Sequence, residues 1–287
     1  MEYKIKEDLE NIRKFYGLTQ SELAEELGIE RVRLARTEIG ETAPRKELLD
    51  SVYSYAFSRG LQLNLQKEMF YKEETEKGHI LLTHSSKKGI EGKISTKYGR
   101  ERNDFGYGFY CGSSYEKAAA FTCQYPDSCV YFIDFNPKGL KCVEFGVDQE
   151  WMLAIAYFRG SLNEYADNEL IQSIVNKVKE ADYIIAPIAD NRMFQIIDSF
   201  IDGEITDEQC KHCLAATNLG MQYVFITDKA VNHLTVLERC FVSSKEKEYL
   251  TNEAIEFQKQ GQDKSKLARI QYKNQGKYIE ELLKWKR

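Results

Sequence analysis

The chain has 287 residues, of which 43% are hydrophobic and 30% are charged, with a formal net charge of −5 at pH 7. This length favours two domains over a single core, and without a long apolar run the sequence excludes a membrane-spanning helix. The seven scattered cysteines exclude a disulfide framework, and the mild negative charge confines nucleic-acid contact to a local basic face. We expect a cytoplasmic protein with reduced thiols and no membrane partner.

About the first sixty residues predict a bundle of short helices. Thr19 stands three residues before Glu22, the spacing of a capping box that opens a second helix. Gly28 ends this helix, and a third helix is expected over residues 30 to 38. Pro44 then opens a fourth helix. The pattern predicts an all-α domain at the N-terminus.

A further apolar helix is expected over residues 61 to 71, followed by the polar linker KEETEKG. Beyond it, short β-rich runs alternate with helical segments. These runs are HILLTH, CVYFIDF, LKCVEF, DYIIAPI and QYVFIT. The pattern predicts an α+β protein, with a helical domain over residues 1–76, a mixed domain over 77–240 and one or two C-terminal helices over 241–287.

The segment LTQSELAEELGIERVRLARTEIGETAPRKELL resembles the Xre/Cro-type helix-turn-helix family. The resemblance implies that Gln20 begins the first helix of the motif and that Arg31, Arg33 and Arg36 of the recognition helix face DNA. The arginine fork suits guanine edges and phosphates, whereas Glu30 repels phosphates unless it accepts from a cytosine. Two alternatives stay open: a solvated basic surface, or a module that binds a partner protein.

Three blocks of the chain between His84 and Leu237 resemble the ADP-ribosyltransferase superfamily, and within it a bacterial family of unknown function. The blocks are LTHSS at 82 to 86, DFGYGFYCGSSYEKAAAF at 104 to 121, and DYIIAPIADNRMF at 182 to 194 with GMQYVFITDKAVNHL at 220 to 234. The resemblance implies a split β-sheet domain that binds NAD, as a substrate, in a cleft between two small sheets.

The first block carries residues that the resemblance places against NAD. His84 stands where the motif histidine contacts the ribose, and Ser86 stands at the position of the usual serine. Ser85 replaces a glycine of the usual motif. Because glycine permits a closer approach of the backbone than serine does, Ser85 is expected to alter the contact with the nicotinamide amide.

The second block is expected to lead into a strand beneath the nucleotide. The resemblance implies that Asp104 and Gly108 contact NAD. It also implies that the backbone takes a tight path through Gly106 and Gly108 and that Tyr110 supports the pocket. Phe121 is placed to stack on the nicotinamide ring, since an aromatic face supplies offset stacking without a hydroxyl. The alternative interpretation is that Phe121 is a core residue of its helix.

The third block determines the mechanism, because this chain has Gln222 where the resembled enzymes carry a glutamate. A carboxylate stabilises the oxocarbenium-like transition state, whereas glutamine only hydrogen-bonds a ribose hydroxyl. Asp190 is therefore the first candidate to supply charge or accept a proton, and Asp104 is the second. The alternative for Asp190 is an ordinary cap of the helix near Arg192. With His84 and Gln222, Asp190 completes the expected catalytic set.

Two functions follow from these resemblances. The first is an ADP-ribosyltransferase that modifies a macromolecule, as a toxin or phage-defence effector whose N-terminal domain binds DNA or an antitoxin. The second is a non-catalytic transcriptional regulator that senses NAD or an ADP-ribosylated ligand. The acceptor stays open between protein, nucleic acid and small molecule, and a homodimer would match two DNA half-sites. No metal is expected, because the single CxxC, Cys210 to Cys213, has no second pair.

Overall fold

The computed structural model describes residues 2–189, 191–215 and 220–283. The chain divides into two compact units, and each is assembled from separated segments. The first unit contains Met1–Glu91, Ser114–Phe135 and Thr235–Ala254, and the second contains Gly92–Ser113, Asn136–Leu234 and Ile255–Arg287. Both units combine helices with strands, which confirms the predicted α+β class. The domain limits expected from the sequence stay a prediction.

The first unit begins with five helices, as the sequence predicts. They are α1 (Ile5–Tyr16), α2 (Gln20–Glu26), α3 (Arg31–Glu38), α4 (Lys46–Ser58) and α5 (Leu63–Glu74). The capping box of α2 is confirmed, because Thr19 Oγ1 accepts from the backbone N–H of Glu22 at 3.2 Å and Glu22 Oε2 accepts from that of Thr19 at 2.7 Å. Two donors at the start of the helix are thereby satisfied. An N-terminal helical region is thus present.

Seven strands follow in the described part of the chain. They are β1 (Ile80–Ser86), β2 (Phe109–Gly112), β3 (Cys129–Phe135), β4 (Cys142–Glu144), β5 (Tyr183–Pro187), β6 (Met221–Phe225) and β7 (Leu234–Phe241). In the first unit β3 lies between β1 and β7. It pairs with β1 in antiparallel register, so that His84 stands opposite Tyr131. In the second unit the order is β4-β5-β6-β2, with β4 and β5 parallel and the other pairs antiparallel.

The remaining helices follow the strands in chain order. They are α6 (Tyr115–Thr122), α7 (Gln149–Arg159), α8 (Glu169–Lys179), α9 (Asn191–Ile201), α10 (Asp207–Ala215), α11 (Asp228–Val231), α12 (Ser244–Gln271) and α13 (Ile279–Leu282). The C-terminal segment is helical, as expected, although most of it is one helix of 28 residues. Among the residues described, no helix is long and apolar enough to cross a membrane.

A buried charge network joins α1, α5 and β7 within the first unit. Lys67 Nζ of α5 lies 2.6 Å from Asp8 Oδ2 of α1 and 2.6 Å from Glu238 Oε1 of β7. Tyr53 donates to Asp8, and Tyr71 donates to Glu238 Oε2 at 2.8 Å. Asp8 and Glu238 are almost fully buried, and charges are stable in such surroundings only when they are paired and hydrogen-bonded. Lys67 therefore holds the helical region against β7.

A second buried polar cluster in the same unit surrounds Glu246 of α12. Its Oε1 accepts from the hydroxyl of Tyr115 at 2.8 Å, and its Oε2 accepts from Asn64 Nδ2 at 3.2 Å. Asn64 Nδ2 also donates to the carbonyl of Phe241 at 2.9 Å. Burial raises the pKa of Glu246 to about 7, against the opposing effect of the bonds from Tyr115 and Asn64. This carboxyl therefore titrates near neutral pH.

The second unit is built around α7, whose side chains Trp151 to Ala156 are all buried. Asp148 caps this helix by accepting from the N–H of Trp151 at 2.9 Å. Gly160 ends the helix with a φ of 96°, a backbone conformation that favours glycine. The last helical residue, Arg159, is thereby held at the edge of the apolar core.

Candidate functional site

The first predicted block lies within β1. His84 is half-buried, and its ring centroid lies 6.4 Å from that of Tyr131 on β3. Ser85 and Ser86 are also half-buried. Ser86 Oγ donates to the carbonyl of Gly89 and accepts from its N–H, both at 3.0 Å. Ser86 therefore fixes the turn after β1.

The hydroxyl of Tyr131 holds the same turn from the neighbouring strand. It accepts from the backbone N–H of Ile90 at 2.9 Å. Burial, as the largest cause, raises the pKa of Tyr131 to about 12. The hydroxyl is therefore protonated at neutral pH.

Phe121 lies near the end of α6 and is 67% exposed. The alternative that it is a core phenylalanine is therefore wrong. An aromatic ring that remains this exposed contributes little to the apolar core, because most of its surface stays in contact with water. The stacking role that the resemblance implies for Phe121 stays a prediction.

The second block forms a tight turn that leads into β2. Tyr110 donates its hydroxyl to the carbonyl of Gly106 at 2.7 Å, and the same oxygen accepts from the N–H of Phe105 at 3.1 Å. Burial raises the pKa of Tyr110. Gly108 passes so close to β6 that an added Cβ would lie 3.0 Å from Val224 Cγ1. Tyr110 and Gly108 thus fix the turn that carries Asp104.

Asp104 is buried and accepts hydrogen bonds at both carboxylate oxygens. Oδ1 accepts from Arg159 Nε at 2.9 Å and also from Nη2 of the same guanidinium. Oδ2 accepts from Gln222 Nε2 at 2.7 Å and from the N–H of Ala189 at 3.2 Å. A carboxylate offers about four lone-pair positions. The acceptor capacity of Asp104 is therefore used, which favours a positioning role over proton transfer.

Gln222 lies in β6, opposite Gly112 of β2 and Ala186 of β5. Its side chain is buried, and Nε2 donates both to Asp104 Oδ2 and to the carbonyl of Pro187, which is 2.9 Å away. Because both neighbours are acceptors, only the NH₂ group can face them, and the orientation of the amide follows from this network. Oε1 is the amide's remaining hydrogen-bonding atom, and it is an acceptor.

Arg159 is a site residue that the sequence analysis missed. Besides Asp104, its Nη2 contacts the carbonyl of Ala189, and its guanidinium lies 4.4 Å from the ring centroid of Phe194. The sequence signal that could have identified Arg159 is its position as a single basic residue at the end of an apolar helix, directly before Gly160. Its partners are 55 and 30 positions away in the chain, so no local pattern identifies them.

The predicted site residues fall into two groups. His84, Ser85, Ser86 and Phe121 belong to the first unit, whereas Asp104, Gly108, Tyr110 and Gln222 belong to the second. Within the second unit the structure brings Asp104 and Gln222 into direct contact. Asp190, the first candidate for charge or proton transfer, lies outside the described residues. Whether His84, Phe121 and Gln222 face one cleft stays a prediction.

The predicted DNA-binding residues lie on α2 and α3. Arg31, Arg33 and Arg36 are all exposed, and the loose pair of Arg36 Nε with Glu41 Oε2 spans 3.8 Å. The amide of Gln20 donates to the buried carboxylate of Glu38, so it is engaged within the helical region. The three arginines therefore provide the accessible positive charge of this surface.

The cysteine pair of α10 is buried, and burial raises the pKa of both Cys210 and Cys213. Such thiols are poor metal ligands and poor nucleophiles, since both roles need the thiolate. The described residues contain no group of three or more His, Cys, Asp or Glu side chains that could hold a metal ion.

One protein family matches the chain. Its description is Protein of unknown function (DUF3990), and the match covers residues 80–236, from the first residue of β1 into β7. The matched region therefore includes Asp104, Arg159 and Gln222. No curated protein and no solved structure matches the chain.

Proposed function

The chain belongs to the family described as Protein of unknown function (DUF3990), and we propose that it is an NAD-dependent ADP-ribosyltransferase that modifies a macromolecule. The observation that carries the proposal is the fixed amide of Gln222, whose NH₂ group is committed to Asp104 and Pro187. Its oxygen is a hydrogen-bond acceptor. In the resembled enzymes a glutamate oxygen at this position binds a ribose hydroxyl, and an amide oxygen makes the same kind of bond.

The proposed reaction breaks the bond between the ribose carbon and the nicotinamide nitrogen, and the bonding electron pair passes to the nicotinamide ring. A lone pair of the acceptor forms the new bond to that carbon, and the acceptor's proton passes to a base. Gln222 orients the sugar but supplies no charge and accepts no proton. Asp190 is our candidate for the base, because the oxygens of Asp104 are already engaged.

The absence of a carboxylate at position 222 predicts a slow enzyme. Loss of one transition-state interaction typically costs about 3–4 kcal/mol, which corresponds to roughly 10²- to 10³-fold in rate. From a typical turnover of about 10 per second, this loss leaves about one turnover every 10–100 s, so micromolar protein should release nicotinamide over minutes. Assays that stop within seconds would miss this activity.

The test is incubation of the purified chain with NAD, followed by mass spectrometry of free nicotinamide and of ADP-ribosyl adducts in added cell lysate. Wild type should release nicotinamide, and His84→Ala and Gln222→Ala should each lower the rate at least tenfold. Gln66→Ala, on the exposed face of α5, is the matched control and should behave as wild type. The proposal fails if wild type neither releases nicotinamide nor forms adducts.

The buried contact between the helical region and β7 favours a second candidate, a regulator that senses NAD without consuming it. Lys67 binds Asp8 of α1 and Glu238 of β7 together, which provides a direct physical connection between the strand and the helical region. In this case NAD should bind, remain intact and shift DNA affinity. Intact NAD with no shift in DNA affinity would exclude the regulator.

A further inference from the structure

We propose that Asp104, held by Arg159, is a positioning residue that fixes the hydrogen-bond polarity of Gln222 and thereby requires an amide at position 222. The structural part of this inference stands on the contacts of the second unit, whereas its consequence for catalysis rests on the proposed function. On this inference, Gln222 forms a carboxylate–amide pair with Asp104 and is not simply a less effective replacement for a glutamate.

The pair is built so that each polar group faces its complement. The guanidinium of Arg159 neutralises Asp104 through a two-pronged contact with Oδ1. The other oxygen, Oδ2, faces the donors of Gln222 and Ala189. Because Asp104 Oδ2 accepts from the amide nitrogen of Gln222, the amide oxygen of Gln222 points elsewhere.

The same two residues hold the chain segment that follows β5. Asp104 accepts from the N–H of Ala189, and Arg159 donates to the carbonyl of the same residue. Gln222 Nε2 donates to the carbonyl of Pro187, two positions earlier. Both backbone groups of Ala189 and the carbonyl of Pro187 are thus tied to a single cluster, and a disturbance of Asp104 also releases this segment.

A glutamate at position 222 would meet acceptors only. Its carboxylate would face Asp104 Oδ2, now 2.7 Å from the amide nitrogen, and the carbonyl of Pro187, now 2.9 Å away. Two buried carboxylates at this separation cannot both ionise, so one of them has a strongly raised pKa. Gln222→Glu should therefore impair the protein instead of restoring the activity of a glutamate enzyme.

The experiment is a double-mutant cycle with Gln222→Glu, Asp104→Asn and the combined variant, which exchanges carboxylate and amide while conserving charge. Thermal unfolding is measured from pH 5 to pH 8, and nicotinamide release is measured at pH 7.5. Gln66→Glu, on the exposed face of α5, controls for the added charge. A cycle isolates the coupling of two residues because effects common to both variants cancel.

Gln222→Glu should lower the melting temperature at pH 8 by several degrees, with a smaller loss at pH 5, where one carboxyl is protonated. The combined variant should recover part of the lost stability, because carboxylate and amide face each other again while the carbonyl of Pro187 still meets an acceptor. It should also lose this pH dependence and release nicotinamide faster than Gln222→Glu, by roughly tenfold. Additive losses, or a loss equal at pH 5 and pH 8, would overturn the positioning role. If the cycle shows coupling between positions 104 and 222 but neither wild type nor any variant releases nicotinamide, the positioning role of Asp104 is supported and the proposed transferase activity is contradicted.

Discussion

Lys67 pairs with two buried carboxylates, and its removal is expected to lower the free energy of unfolding strongly. In Lys67→Met, Asp8 would stay buried without its cation, and Glu238 would keep only Lys4, whose Nζ lies 3.6 Å from Glu238 Oε2. Breaking a buried pair in this way costs about 3–5 kcal/mol, because an uncompensated charge remains. Urea unfolding should show this loss in the free energy of unfolding. Lys14→Met removes the exposed pair with Glu10 and should leave the free energy of unfolding nearly unchanged. Equal changes in the free energy of unfolding in Lys67→Met and Lys14→Met would contradict the prediction.

Glu246 makes the stability of the first unit dependent on pH. Its pKa is raised from 4.5 to about 7 in the folded chain, mainly by burial. The folded state therefore binds the proton more tightly than the unfolded state does. The resulting stabilisation is complete below about pH 4.5 and is lost as the pH rises to about 7, by roughly 2–3 kcal/mol.

The measurement is the free energy of unfolding of wild type and Glu246→Gln between pH 4.5 and pH 8. The difference between the two chains should change over this range, because the variant has no carboxyl to titrate. Glu248→Gln changes a residue on the same helix whose side chain is 64% exposed. Its free energy of unfolding should vary with pH in the same way as that of wild type. A constant difference for Glu246→Gln would show that this carboxyl does not titrate in that range.

At the scale of the element, α3 presents the exposed arginines of the proposed DNA-binding surface. Each arginine that neutralises a phosphate contributes about −0.9 to the slope of log affinity against log salt concentration. The double variant Arg31→Ala with Arg33→Ala should therefore weaken DNA binding and make the slope about two units shallower. The control, Lys264→Ala with Lys266→Ala, removes the same charge from an exposed part of α12. Equal loss in both variants would indicate nonspecific attraction.

Elements with strong local signals were predictable, and those stabilised by distant partners were not. The helix expected over residues 30 to 38 and the capping box at Thr19 agree with the structure, because caps and periodicity are properties of neighbouring residues. The strand β7 was missed because Glu238 and Arg239 interrupt its apolar pattern. Glu238 is accommodated by Lys67, a partner 171 positions away. No window of local sequence contains that information.

At the scale of the whole molecule, the sequence indicated candidate site residues but not how they are arranged. The resemblance selected Asp104 and Gln222 from blocks more than a hundred positions apart, and the fold brings them to 2.7 Å. It missed Arg159, because each unit is assembled from separated segments and contacts between such segments leave no spacing pattern. It also left Phe121 undecided between core and surface. Only the folded chain establishes that this ring is exposed.

The exposed ring of Phe121 allows stability and ligand binding to be separated in one measurement on the whole chain. NAD that binds only the folded state should raise the melting temperature, by about 2.7 kcal/mol of stabilisation at one hundred times its dissociation constant. Phe121→Ala should leave the ligand-free chain within about 0.5 kcal/mol of wild type, since the ring is 67% exposed. It should reduce the stabilisation by NAD by about 1 kcal/mol, the contribution of one stacked ring.

The matched control is Phe15→Ala on α1, where the ring is 62% exposed and packs edge-on against Tyr16. This variant should retain the full stabilisation by NAD, because the resemblance gives Phe15 no place at the nucleotide. If NAD stabilised Phe121→Ala as much as wild type, Phe121 would not stack on the ligand. If NAD stabilised neither wild type nor Phe15→Ala, neither the transferase nor the NAD sensor would remain.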